Sequence, residues 1–173
     1  MAARTPSQTV GPFFHEALRW KEGGRVEFAE PGRTIVVTGR LIDGAGQPVG
    51  EALIETWQAS PAGSVPKGST GESNPHGFGR VESAKDGTFR IETRMPGGAA
   101  PFIDVAIFAR GLLKHLRTRV YLAPEAQVRA DPILKPLAAS PRLATLVARP
   151  AGEGVYQWDV RLQGEGETVF FAS

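Results

Sequence analysis

Apolar and polar residues along this chain alternate over short stretches, with turn residues between them. Around residues 155–163, Tyr156, Trp158, Val160 and Leu162 take one side and Gln157, Asp159 and Arg161 the other. That period of two predicts a half-exposed antiparallel strand. Phe89, Ile91, Thr93 and Met95 alternate in the same way with Arg90, Glu92 and Arg94. With "GRVES" before them and Asp86-Gly87 between, residues 79–95 predict a hairpin. "RTIVVTGRLID" reads as a strand ended by the turn "DGAGQP", and "ALIETWQA" as a second. "APFIDVAIFARG", "HLRTRVYLA", "ATLVARP" and "ETVFFAS" continue the series, the last as a short strand or tail. Helix is expected only near His15–Trp20 and around Pro132–Ala138. The long apolar-poor stretch 60–78 is expected to be an exposed loop, of a length that is often functional.

Seven to nine strands with little helix imply an all-β protein, a sandwich or a barrel. The 173 residues suffice for one domain, 1–173, and leave little room for a second. Residues 1–32 are rich in turn formers and are expected to lie as an arm across the body. Gly 21 and Pro 14 support many turns.

Composition narrows the function by exclusion. The formal net charge is +2, with no basic cluster interleaved with aromatics, so nucleic-acid binding is not expected. With no cysteine there is no disulfide, thiolate metal site or cysteine nucleophile. No apolar run approaches the roughly 20 residues of a membrane span. The first residues show no signal-peptide pattern, so a cytoplasmic location is the default expectation.

Candidate chemistry is sparse. His15, His76 and His115 are scattered and belong to no metal-binding motif. Tyr121 and Tyr156 sit mid-strand, where packing is the plainer role. No G-x-S-x-G elbow occurs, and "GEGE" at 164–167 reads as a turn. Two charges in the strand 100–111 remain, Asp104 and Arg110. Arg110 has two readings: an ion pair with Asp104, Glu55 or Asp159, or a fork presented to an anionic ligand or to another chain.

Five segments, in order, carry a resemblance: "TPSQTVGPFFH" (5–15), "ETWQA" (55–59), "FGR" (78–80), "APFIDVAIFARGLLKHLRTRVY" (100–121) and "RLQGEGETVFF" (161–171). Together they resemble the intradiol ring-cleaving dioxygenases that act on protocatechuate, and within them the alpha chain. The resemblance implies a β-sandwich with long loops, paired with a homologous beta subunit and assembled into a higher oligomer of such pairs. It implies that ferric iron, Fe(III), is held by the beta chain through two tyrosines and two histidines, the histidines in an H-I-H motif. Here that motif reads Phe102-Ile103-Asp104, and neither "KGSTGESNPHGFG" nor "RMPGGAAP" contains a tyrosine. The implied outcome is no catalytic residue and no metal in this chain. Thr9, Gly11 and Pro12 would line the partner's substrate pocket, and Arg110 would place positive charge near the bound protocatechuate. Dioxygen would then open the ring between its two hydroxyl-bearing carbons, giving 3-carboxy-cis,cis-muconate. A stand-alone, non-catalytic β-sandwich binding module is the alternative. An independent metalloenzyme using His76, His115 and Asp104 is a weaker one.

Overall fold

A computed structural model describes residues 6–65 and 77–172. His76, most of the expected loop 60–78 and the side chain of His15 lie outside the described residues. Among the described residues nine strands form two sheets packed face to face. They are β1 (Thr34–Ile42), β2 (Leu53–Gln58), β3 (Phe78–Glu82), β4 (Thr88–Arg94) and β5 (Phe102–Phe108). β6 (Leu116–Tyr121), β7 (Arg149–Gly152), β8 (Val155–Gln157) and β9 (Val160–Arg161) follow. One sheet is wholly antiparallel, in the order β3-β2-β5-β6. The other runs β4-β1-β8-β7, with β9 also on β1. This is the all-β sandwich expected. Among the described residues no helix is long and apolar enough to cross a membrane.

The core follows from the alternation. Ile35 and Val37 of β1, Phe89 and Ile91 of β4, and Ile103, Val105 and Ile107 of β5 all turn inward between the sheets. A polar tie crosses this core: Thr93 donates to Gln58 Oε1 at 2.9 Å, and Gln58 Nε2 donates to the Arg94 carbonyl at 2.8 Å. The tie joins β2 of one sheet to β4 of the other with its groups satisfied, as burial requires. A second cluster covers part of the outer face of the antiparallel sheet. It gathers Tyr121, Val128, Leu134, Leu143, Leu146 and Val169 beneath the segment that follows β6. That segment holds a single-turn helix, Glu125–Val128, and two 3-10 turns, Pro132–Leu137 and Pro141–Leu146. Asp131 and Ser140 start the two turns by accepting from Ile133 N and Arg142 N. The first helix, α1 (Phe14–Leu18), lies in the N-terminal segment.

Three expectations are corrected. The stretch 79–95 is not a hairpin, because β3 pairs with β2 and β4 pairs with β1. Its turn chemistry is present, with Thr88 N donating to Asp86 Oδ1 and Gly87 N to the Ala84 carbonyl. The turn therefore makes a corner between sheets, anchored where Ser83 donates to the Val49 carbonyl and accepts from Ala52 N. Second, residues 155–161 are antiparallel to β7 through β8 but run parallel to β1, and they break at Trp158, forming β8 and β9. Gly39 allows this: a Cβ there would sit 1.7 Å from the Trp158 carbonyl oxygen. Third, "ATLV" lies mostly in the 3-10 turn; "ETVFFAS" is the tail of the expected pair, strand or tail, with a bridge from Phe171 to Arg117.

Candidate functional site

Two places bring together the residues singled out above. The first is the turn that follows β5. Gly111 has a φ of +92°, a conformation that glycine adopts without strain, and the chain reverses there. Arg110 stands on this turn with its side chain 58% exposed, its guanidinium 2.9 Å from Glu51 Oε2. None of the three expected partners holds it. Arg80 holds Glu55 at 2.7 Å, Arg119 holds Asp104 at 2.9 Å, and Asp159 accepts from Arg40 N and Gln157 Nε2. Those acids face strands whose register fixes their partners, whereas Arg110 lies past the end of β5. Glu51 is the one non-glycine residue with a left-handed backbone (φ 58°) among the described residues. It spans the gap from the β2 side.

The N-terminal arm reaches the same turn. Thr9 Oγ1 accepts a hydrogen bond from Gly111 N at 2.8 Å, which joins two residues 102 positions apart. Gln8 and Val10 line a hollow of about 480 Å³ with Phe108, Leu112, Leu113 and His115. A Cβ on Gly11 would meet nothing within 4 Å, and Pro12 is exposed. Gly11 is thus not demanded by packing within this chain. Phe13 and Leu113 remain exposed at 71% and 64%, large apolar groups flanking the arm and the turn. Farther along, the segment joins the body: Trp20 stacks on Phe78 and Val26 enters the core.

The second place is the outer face of the antiparallel sheet, where Phe102 and Asp104 stand. Asp104 lies opposite Arg119 in the β5–β6 register and pairs with it at 2.9 Å. The Arg119 guanidinium lies 3.7 Å from the Phe102 ring centre, a close cation–π contact. It is also 3.6 Å from Asp131 and donates to Tyr121 Oη at 3.2 Å. Tyr121 in turn donates to Asp131 at 2.7 Å. Burial pushes the Tyr121 hydroxyl up to about 12; its bond from Arg119 opposes this and its bond to Asp131 adds to it. Burial pulls the Arg119 value down, but its bonds to Tyr121 and Asp104 and the Asp104 charge more than offset it, so it rises.

These residues do not fit a ferric ion. The one hard donor at the Phe102-Ile103-Asp104 position already holds a guanidinium, whose charge opposes a cation. His115 stacks on Phe108, four positions along β5 from Asp104. Among the described residues no three His, Asp or Glu side chains converge as metal ligands. The charged cluster around Arg119 was missed at the sequence level, although the alternation in "LRTRVY" had already put Arg117 and Arg119 on one face.

The Dioxygenase family model matches residues 10–101. The chain is 39% identical to the protocatechuate 3,4-dioxygenase alpha chain of Burkholderia cepacia, over 97% of this chain and 96% of that one. The alpha chain of Pseudomonas putida is 35% identical, over 96% and 95%. The protocatechuate 3,4-dioxygenase beta chain of Burkholderia cepacia is 31% identical, over 94% of this chain and 77% of that one. The fold also matches solved 3-chlorocatechol 1,2-dioxygenase from Rhodococcus opacus, with a TM-score of 0.60 at 19% identity, covering 79% and 62%. Sandwich topology, sequence and the family model agree, and the chain belongs to the intradiol ring-cleavage dioxygenases.

Proposed function

We propose that this chain is the alpha subunit of a protocatechuate 3,4-dioxygenase, working beside a homologous beta chain that holds the ferric iron. It acts as one unit, 1–173, whose segment 1–32 forms the arm. Its contribution is to the substrate pocket: Thr9, Gly11 and Pro12 line the cavity of the partner, and Arg110 supplies positive charge to the anionic substrate. The iron would activate the bound catecholate toward dioxygen, and ring opening would give 3-carboxy-cis,cis-muconate.

The Thr9–Gly111 hydrogen bond carries this reading. It docks the arm on the turn bearing Arg110, so all four residues belong to one edge of the chain. The exposed apolar groups Phe13 and Leu113 suit contact with another protein surface. An Arg110–Glu51 pair this exposed contributes only about 0–1 kcal/mol to stability. The arginine is therefore not needed to hold the fold, and a guanidinium suits planar anions.

The test is co-expression with a beta chain. Arg110→Ala in the assembled enzyme should lower kcat/KM about 10–100-fold, the loss of one charge-assisted hydrogen bond, with iron content unchanged. Loss of iron in that variant would contradict the role given to Arg110. A chain that purifies alone as a monomer, with the beta chain's ring cleavage indifferent to it, would point instead to a stand-alone binding module.

A further inference from the structure

The outer face of the antiparallel sheet carries a hollow of about 470 Å³, within the range of small-molecule sites. Trp57 of β2 and Phe78 of β3 form an aromatic side to it, in contact with each other at 5.9 Å between ring centres. Ala106 gives a low floor, and Ile133 and Phe171 stand at the other side. Ile133 is 57% exposed although it lines the hollow, so an apolar side chain there is left without an apolar cover.

Each acid of this face is paired, and one cation is not. Glu55 is matched by Arg80 at 2.7 Å, and Asp104 by Arg119 at 2.9 Å. Arg119 is further matched by Asp131 at 3.6 Å. Arg117 lies across from Ala106 in the β5–β6 register and has no hydrogen bond or ion pair through its side chain among the described residues. The lining thus offers flat apolar walls, a small floor residue and one cation that makes no ion pair among the described residues. A guanidinium in that position favours a planar carboxylate, which it can engage through two parallel N–H groups.

From this arrangement we propose that the chain binds a small aromatic monocarboxylate of its own, with the ring against Trp57 and Phe78 and the carboxylate at Arg117. The site is built entirely from residues of this chain, and it does not depend on the role given to Arg110. A two-carboxylate ligand is disfavoured, because Glu55 and Asp104 border the same hollow.

The probe is 4-fluorobenzoate, followed by fluorine NMR on the full alpha–beta complex. The expected result is a saturable binding component that weakens at least 10-fold in Arg117→Gln. Ala106→Leu, which raises the floor, should remove it, and Arg110→Ala should leave it unchanged. Neutral 4-fluorobenzamide should bind at least 10-fold more weakly. Wild-type affinity and stoichiometry in both Arg117→Gln and Ala106→Leu would overturn the proposal. So would a single component lost only in Arg110→Ala, which would place the anion at the shared edge instead. Circular dichroism and the thermal midpoint establish that each variant is folded.

Discussion

Arg119 is the side chain on which most local electrostatics turn. It lies between Asp104, Asp131, Tyr121 and the Phe102 ring, with only 13% of its side chain exposed. Replacing it with methionine keeps the bulk but leaves two acids facing an apolar face without their cation. For a largely buried pair this costs about 3–5 kcal/mol, nearer the lower end here because Asp104 is 40% exposed. Urea unfolding of Arg119→Met should show that loss; a change within 0.5 kcal/mol would mean the cluster is solvated in solution. Tyr121 adds a pH dependence. Its hydroxyl keeps its proton more tightly in the folded chain than in the unfolded one, where tyrosine titrates near 10. The linked stability is fully present below about pH 10 and is lost as pH rises toward about 12. The wild-type thermal midpoint should therefore fall across that alkaline window more steeply than that of Tyr121→Phe. The sequence shows which residues can ionise. It does not show that Arg119 meets Asp131, because the chain must first leave β6 and return through the 3-10 turn.

Among the elements, β1 organises the mixed sheet, taking β4 on one side and both β8 and β9 on the other. Its centre is Gly39, where the Trp158 carbonyl passes too close for any side chain while Trp158 N donates to Thr38 O at 2.8 Å. Gly39→Ala would force the strands apart where β8 gives way to β9. An expected loss of about 3 kcal/mol or more follows from the lost ladder bonds and the displaced Trp158 ring. Hydrogen exchange should show the loss of protection concentrated at residues 155–161, and an unshifted midpoint would refute the close approach. Strand existence and facing were legible at this scale, since alternation is a local property. Pairing was not. Residues 79–95 have the turn of a hairpin, yet the two strands find better partners in β2 and β1.

At the scale of the whole molecule, the N-terminal segment carries the part proposed for the partner's pocket. It is fastened near its start by Thr9 to Gly111 and near its end by Trp20 on Phe78. Between these points Gly11, Pro12 and Phe13 are exposed. Deleting residues 1–12 removes the first fastening and leaves the core residue Val26 in place. The truncated chain should keep its thermal midpoint within a few degrees. Its complex with a beta chain should show a raised KM for protocatechuate and a weaker association by analytical ultracentrifugation. Unaltered kinetics would remove the arm from the pocket. The candidate site was readable only in part. Thr9, Gly11 and Pro12 came from the resemblance and Arg110 from its place at a strand end as well, while the contact between Thr9 and Gly111 emerged from the fold.

What the sequence settled by itself is the all-β character and most of the strand positions. Each of these is written in residue types or in a period of two, and neither depends on distant parts of the chain. Tertiary structure alone decided that β8 runs parallel to β1, that Arg110 pairs with Glu51, and that Asp104 is occupied by Arg119. Alternation carries no information about the direction of a neighbouring strand. Nor can a charge choose among acids many residues away until sheet register has set the distances between them.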